Sequence, residues 1–446
     1  MLRLHDGQAT LWEQLLPEVV HLLPEELTRI DALLDDEGFL APFVRRFNCR
    51  IGRPTVPIDS YLRLMYLKHR HGLGYETLVK EVADSLSWRR FCRIRLEGGV
   101  PHSTTLMKLT RRFGSATLDD LNATLLEAAV EKKVLRSRRL RVDTTVVEAD
   151  VRYPTDSGLC AHAVSRLTRA VKAVKATGLS ARTRFRSRVT QAGEAVRRMS
   201  HTLGRVGSRA AVDRITSELH QLASACAREA KQVLERAEQA TGSHALKGKL
   251  AVARLAEELR RAEIVIGQTS RRLAGETAIA DRVVSLCDLD ARPIRRGKPQ
   301  RPTEFGYKVS IADSVEGFVV SHQVYVGAVG DTSTLKAAVT GATATGMRVL
   351  TVYADRGYGN EVADQVLDEL KIPRRVIPRQ GRAAPEESTP SWRRRYRHRA
   401  GAEGRISHLK RRYGLTRSRL KGHPGATIWV GYGVLAHNLD RMVALG

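Results

Sequence analysis

The sequence predicts an α/β protein with a mixed β-sheet, an all-α N-terminal region and a helical insertion after the first strand of the sheet. Residues 1–130 place apolar side chains at helical spacing, whereas residues 140–151 alternate and are rich in β-branched side chains. Residues 160–276 return to three-and-four apolar spacing. Strand character resumes near residue 283 and then alternates with helices.

The N-terminal region is expected to contain a helical segment over residues 1–50 and a second helical domain over residues 51–130. In the second domain, a helix is expected from near Pro57, a second one through Val79 and Val82 after a break at Gly72 to Gly74, and a third around Trp88. Short helices joined by glycine-bearing turns favour a helix-turn-helix module that contacts DNA. The alternative is a helical bundle with a charged exterior. The candidate DNA-binding residues of this domain are Lys108, Arg111 and Arg112.

The helix that carries these three cations is expected to start in the PHSTT segment. Ser103 or Thr104 can cap its N-terminus, because a hydroxyl oxygen accepts a hydrogen bond from the free backbone N–H groups of a first turn.

The first strand of the sheet, LRVDTTVVEADV, carries Asp143. Four heptad-like apolar seams follow within residues 161–276, and they predict about four helices packed as a bundle or as antiparallel hairpins. This insertion is expected to be a scaffold or dimerisation arm. The alternative is a basic arm that grips the DNA backbone.

The rest of the sheet is expected within residues 277–446, which join residues 131–160 to form one core. A strand at Val283–Leu286 precedes a hairpin that is linked through Asp313 and Gly317. A helix, a short buried strand, a second helix, a strand and two further helices follow. Three adjacent strands followed by alternating helices and strands describe a mixed sheet of the ribonuclease-H kind.

Charge and cysteine content limit the function. The chain of 446 residues has 75 Lys and Arg against 48 Asp and Glu, a formal charge of +27, so a polyanionic partner is expected. Nucleic acid is favoured over a membrane, since no apolar run approaches the ~20 residues of a spanning helix. A ribosomal or polyphosphate surface is an alternative. Five scattered cysteines without zinc spacing predict a reduced, cytoplasmic protein.

A stripe of four polar side chains is predicted on a helix near the C-terminus. Offsets of three, four and seven residues place four side chains on one stripe of a single predicted α-helix. They frame one carboxylate with two cations and a phenol; the alternative is an ordinary solvated basic face with helix-stabilising ion pairs. The four residues are Tyr396, Arg399, Glu403 and Lys410.

Three carboxylates on different elements are expected to converge. Asp143 lies in the first strand, Asp355 ends a later strand, and Glu403 lies on a helix that can pack over the sheet. Three oxygen donors without Cys or His suit Mg²⁺ or Mn²⁺. Two such ions would support phosphodiester cleavage and strand transfer. Any one of these acids alone is more often a turn former.

Three segments then carry a family resemblance: VDTTVVEADVRYPTDSG, YADRGYGN and YRHRAGAEGRISHLK. They resemble the three acidic motifs of bacterial insertion-sequence DDE transposases, and the third matches the Tyr-Arg-Glu-Lys signature of that group at every spacing. The segment GRPTVPIDSYLRLMYLKHRHGLGYETLVKEV resembles their helical DNA-binding region. The insertion and the following ARPIRRGKPQRPTEFGYKV are similar to the ISNCY-like branch.

The resemblance implies an RNase-H-like catalytic core that uses a divalent metal, Mg²⁺ or Mn²⁺. It implies binding of terminal inverted repeats, cleavage at the element ends and joining of 3′ ends to target DNA by at least a homodimer, in the bacterial nucleoid. By motif position, Asp143, Asp355 and Glu403 are the metal ligands. Arg356 either grips a phosphate or orders its own loop through an ion pair. The residues implied in contacts with DNA phosphates or the scissile region are Tyr396, Arg399 and Lys410.

Four neighbouring acids are expected to have other roles. Glu148 points to the opposite face of the first strand from Asp143. Asp150 and Asp156 fall towards or within a turn, and Asp331 is expected to cap a helix. Two alternative functions remain: a non-catalytic DNA-binding regulator, and a metal-dependent nuclease that never joins strands.

Overall fold

A computed structural model describes residues 1–5, 17, 22–47, 52, 54–202, 208–240, 246–295 and 302–446. Most of the N-terminal helical segment before residue 22, together with Cys49, lies outside these residues. The end of the second predicted seam, at Leu203 and Val206, and the basic segment at 296–301 also lie outside them. The chain divides into two compact units, one made of residues 1–150 and 306–446 and the other of residues 151–305.

The helices follow the predicted order. They are α1 (Glu25–Leu34), α2 (Ala41–Arg46), α3 (Ile58–Arg70), α4 (Tyr75–Asp84), α5 (Leu86–Phe91), α6 (Ser103–Glu131), α7 (Asp156–Lys175), α8 (Val189–Thr202), α9 (Arg209–Ala240), α10 (Leu246–Leu273), α11 (Asp331–Ala344), α12 (Glu361–Glu369), α13 (Pro390–Tyr396), α14 (Ala400–Arg412) and α15 (Gly422–Leu445).

The strands are β1 (Arg139–Ala149), β2 (Arg292–Arg295), β3 (Thr303–Ser314), β4 (Val319–Val326), β5 (Thr351–Tyr353), β6 (Arg374–Val376) and β7 (Arg417–Ser418). In the first unit, β1 pairs antiparallel with β3 and parallel with β5, which pairs parallel with β6. β4 continues the hairpin from β3, and β7 pairs with the end of β1. The first strand is therefore central, with a later parallel strand beside it, as predicted.

The core of the first unit lies between this sheet and the helices. The middle of α15, from Ile428 to Leu439, is buried, and the helix packs against α3, α6 and β4, which explains its apolar sequence. None of the helices within the described ranges is long and apolar enough to cross a membrane.

The second unit is a bundle of α7 to α10. Its buried seam residues include Val164, Leu167, Val171 and Val174, so the predicted seam of the first helix is confirmed. One ion pair lies inside the bundle, with Arg166 Nε at 2.5 Å from Glu258 Oε2. This unit is wider than the insertion expected at 161–276, because the segments around 151–160 and 277–305 belong to it.

Three local predictions were wrong. Val283–Leu286 is not a strand, because the side-chain amide of Gln268 bonds both the N–H and the C=O of Val283 in place of a partner strand. The cap of α6 is His102, whose Nδ1 accepts from the Thr104 N–H, and not Ser103 or Thr104. Asp313 lies in β3 rather than in the hairpin turn, which is formed around Gly317.

Candidate active site

The first two carboxylates lie at one edge of the sheet. Arg141 of β1 is paired with Tyr353 of β5, and Asp143 and Asp355 each follow two residues later in these parallel strands. The Thr144 N–H donates to Asp143 Oδ1 at 2.7 Å. Asp355 caps a 3₁₀ turn, and the Gly357 N–H donates to its Oδ1 at 2.9 Å. Backbone donors thus fix one oxygen of each carboxylate.

The third carboxylate, Glu403, lies in the first turn of α14. The prediction of a single α-helix from Tyr396 to Lys410 was wrong, because a 3₁₀ turn at Arg397–Arg399 separates α13 from α14. The backbone nevertheless stays right-handed helical through this turn, so Arg399 and Glu403 remain on one side of the chain as an i,i+4 pair.

Arg399 lies among all three carboxylates. Its Nη1 donates to Glu403 Oε1 at 2.7 Å, while its Nη2 lies 3.6 Å from Asp143 Oδ2 and 3.9 Å from Asp355 Oδ2. Burial lowers the pKa of Arg399, but the surrounding anionic groups, led by Asp143, reverse this effect and raise the pKa above its usual value. One guanidinium therefore holds together side chains that are far apart in sequence.

Asp331 is a fourth carboxylate of this region, and its predicted role as a helix cap was wrong. The N-cap residue of α11 is Gly330, and no side chain caps the N-terminus of this helix. Instead, Asp331 Oδ1 accepts from Thr144 Oγ1 at 2.8 Å and lies 2.7 Å from Lys308 Nζ. A cap position and a site position look alike in sequence, since both place an Asp in a first helical turn.

Asp331 also acts on Asp355. Burial raises the pKa of Asp355, the Asp331 charge raises it further, and Arg399 opposes both effects. Lys308 was not predicted as a site residue from the sequence. It lies in β3 opposite Val146 of β1, and β1 is the strand that carries Asp143.

The remaining predicted residues surround the carboxylates or lie on other elements. The ring of Tyr396 stacks on that of Trp392, with centroids 4.9 Å apart and planes 20° apart. Lys410 is half-buried in the last turn of α14. Arg356 donates to the Arg379 carbonyl oxygen at 2.9 Å and lies 3.4 Å from Glu387, so it orders its own loop.

The N-terminal cations lie on the exposed face of α6, an element that carries none of the three carboxylates. The guanidinium of Arg112 lies 5.6 Å from the Phe47 ring centroid. The three exposed residues are Lys108, Arg111 and Arg112. Glu148 lies 3.0 Å from Arg417 Nη2, away from Asp143, as strand alternation predicted.

The donor chemistry of the three acids fits a divalent metal. Carboxylate oxygens are the donors that hard cations prefer, and these three already gather around one positive group. Within the part of the chain that the structure describes, however, no three acidic, His or Cys side chains are close enough to hold a metal ion as they stand. The guanidinium of Arg399 lies between them, so metal binding by all three requires it to turn aside.

Two family models match the chain. Residues 13–112 match a family described as a transposase domain (DUF772), and residues 283–439 match the transposase DDE domain. The second match includes Asp355 and Glu403. A relative from Rhizobium meliloti, "Uncharacterized protein ORF8 in nfe locus", is 30% identical over 156 residues, which are 34% of this chain and 74% of the relative. No solved structure matches.

Proposed function

Because the chain belongs to the insertion-sequence DDE transposases, enzymes that act on DNA, we propose that it binds the terminal inverted repeats of its element, cleaves the DNA at the element ends and joins the 3′ ends to target DNA. The observation that supports this reaction is the convergence of Asp143, Asp355 and Glu403 around Arg399. The order of β3, β1 and β5 supports the further proposal that the core is RNase-H-like.

Asp143, Asp355 and Glu403 would hold the divalent metal, Mg²⁺ or Mn²⁺. When bound, the metal activates a water or a 3′-hydroxyl and stabilises the leaving oxygen of a phosphodiester. The backbone N–H groups of Thr144 and Gly357 orient two of the carboxylates before any ligand arrives. This preorganisation lowers the cost of assembling the site at the moment of reaction.

DNA contacts are proposed around the stacked rings of Trp392 and Tyr396. These rings lie on α13, whose last turn carries exposed Arg393, Arg394 and Arg395. Arginine forks pair with phosphate oxygens, and a stacked aromatic pair offers a face to a base. Once released from the carboxylates, Arg399 can also reach a phosphate, as we propose for Lys410. Lys108, Arg111 and Arg112 would contact DNA outside the cleavage site.

Arg356 is proposed to support the site by ordering its own loop. The exposed basic residues of α6 and α13 support the further proposal of a nucleoid location. Two element ends must be held together during transposition, so we propose a homodimer as the smallest active assembly.

The test is a cleavage assay with the purified full-length chain, Mg²⁺ and a labelled duplex that carries the element's own terminal repeat. Asp355→Ala is expected to lower the cleavage rate about 10²- to 10³-fold, as loss of a group that stabilises transition-state charge does. The matched control is Glu148→Ala, which removes a carboxylate of β1 that pairs with Arg417 instead. Equal rates for Asp355→Ala and the wild type would refute the assignment of the metal ligands.

A second arm separates the two alternative functions. Pre-cleaved ends with free 3′-hydroxyls are incubated with a supercoiled plasmid, and joined products are counted. A nuclease cuts the duplex without giving joined products, and a regulator binds the repeat without cutting it.

A further inference from the structure

A buried arginine–carboxylate cluster lies between the sheet and the helix that carries Glu403. Asp313 of β3 is 1% exposed, and Arg141 of β1 donates to both of its carboxylate oxygens. Arg141 also donates to the Ser314 carbonyl oxygen at 2.6 Å. Arg405 of α14 reaches the same carboxylate, with 3.4 Å between Nε and Oδ2. The cluster therefore connects β1, β3 and α14.

On β1 and on α14, the residues of this cluster lie two positions from a site carboxylate, Arg141 from Asp143 and Arg405 from Glu403. Arg141 and Asp143 are two residues apart on β1, so their side chains point to the same face of the sheet. α14 packs against β1, and Gly401 precedes Glu403 by two residues on that helix. A contact that holds α14 in place at residue 401 therefore acts only about half a helical turn before Glu403, the third carboxylate.

Gly401 lies directly against the guanidinium of Arg141. A Cβ built at this position would overlap Nη1 of Arg141. The guanidinium is planar, and its Nε and Nη2 donate to Asp313 and Ser314, so moving Nη1 aside would strain or break these hydrogen bonds to a buried charge. A side chain at 401 would therefore lift α14 from β1 rather than displace the arginine.

A second glycine makes room for the other arginine. Gly317 has a φ of +94°, and a Cβ there would overlap Nη2 of Arg405. Both arginines that bind Asp313 therefore lie against glycines, one in α14 and one in the β3–β4 turn.

We propose that Arg141, Asp313 and Gly401 are positioning residues that set the distance between α14 and β1, and through it the geometry in which Glu403 meets Asp143 and Asp355. The inference rests on the proposed metal-dependent cleavage. Arg141, Asp313 and Gly401 act through Glu403, not through contact with metal or DNA. A displacement of about 1 Å at a reacting centre can cost about 10²-fold in rate.

The test compares Gly401→Ala with Gly404→Ala, a matched change in the same helix where a Cβ meets nothing within 4 Å. Mn²⁺ binding to the full-length protein without DNA is followed by electron paramagnetic resonance. Gly401→Ala is expected to raise the Mn²⁺ concentration for half-saturation at least about tenfold, by loss of one well-placed ligand. In the cleavage assay, its kcat is expected to fall while KM for DNA stays unchanged. Gly404→Ala is expected to match the wild type in both measurements.

A rescue variant addresses the contact itself. Arg141→Lys keeps a cation beside Asp313 but removes the Nη1 atom that a Cβ at 401 would overlap. Alone, it is expected to raise the half-saturation concentration modestly. Combined with Gly401→Ala, it is expected to give the value of Arg141→Lys alone, since the two changes act on one contact.

The outcomes separate the two proposals. If the wild type binds Mn²⁺ and cuts DNA while Gly401→Ala does the same, the positioning inference is overturned and the proposed function stands. If the wild type neither binds Mn²⁺ nor cuts its own ends, the proposed function fails. Should Gly401→Ala not fold, Arg141→Lys decides alone, and unchanged Mn²⁺ binding in that variant overturns the inference.

Discussion

Two arginine–carboxylate clusters meet α14, and they differ in how charge is shared. In the buried cluster, Asp313 is bound by Arg141 and approached by Arg405. In the candidate active site, the ratio is reversed, because Arg399 is shared by three carboxylates at 2.7, 3.6 and 3.9 Å. In the buried cluster, the arginine and carboxylate of Arg141 and Asp313 are both buried and in direct contact. In the candidate active site, two of the three distances are longer and Glu403 is exposed to solvent.

This difference supports the proposal that the buried cluster has a structural role and that the cluster around Arg399 binds a metal ion. A buried carboxylate with two guanidinium groups has no need of further cations. Three carboxylates around one guanidinium keep a formal excess of negative charge, and a divalent cation satisfies it better than a single arginine does. The same residue types, a few residues apart in and just before α14, are thus proposed to have opposite roles.

The largest expected effect comes from breaking the closed cluster. Asp313→Asn leaves Arg141 and Arg405 buried without their anion, so we expect the free energy of unfolding to fall by about 3–5 kcal/mol. Urea denaturation at pH 7 measures it. The exposed pair of Lys336 and Glu369 is the control, where Lys336→Ala is expected to cost less than about 1 kcal/mol. A similar loss in both variants would contradict a structural role for Asp313.

Lys68 extends the comparison to a buried cation that has no carboxylate partner among the described residues. Lys68 is 1% exposed and lies 4.1 Å from the Trp429 ring centroid, and in the described part of the chain no carboxylate forms an ion pair with it. Burial, together with Arg419, lowers the pKa of Lys68 to about 7. Between about pH 7 and 10.5 the unfolded chain therefore binds more protons than the folded one, and stability rises with pH.

We expect Lys68 to contribute up to about 1.4 kcal/mol of stability for each pH unit in this window, with the cation–π contacts reducing the slope. Urea denaturation from pH 7 to 9.5 measures the slope in the wild type and in Lys68→Met. The variant is expected to lose most of the slope and to be more stable at pH 7. Identical slopes would show that Lys68 stays charged in the fold.

The smallest effect on stability is expected at the open cluster. Arg399→Met removes a partly exposed cation, so the free energy of unfolding without metal should change by less than about 1 kcal/mol. The rise in melting temperature on adding Mg²⁺ should become larger, because the cation no longer competes for the three carboxylates. Differential scanning calorimetry with and without Mg²⁺ tests both expectations. An unchanged response to Mg²⁺ would contradict the competition between Arg399 and the metal.

Helices and strands with a regular spacing of apolar residues could be predicted from the sequence. The seams of the second unit and the central first strand follow from apolar spacing alone, and so does the buried last helix. The strand expected at Val283 failed because Gln268, fifteen residues earlier, satisfies its backbone. The roles of Asp313 and Asp331 failed for a similar reason, since their partners Arg141, Thr144 and Lys308 lie on other strands.

The sequence alone predicts three acidic motif residues, a helical insertion after the first strand and a polyanionic partner, because spacing and net charge are properties of the chain. The folded arrangement was needed to show that Arg399 lies among all three acids, that Asp331 lies beside them, and that a Cβ at position 401 would overlap Arg141. These features depend on distances between elements, and such distances are set when the sheet and its helices pack together.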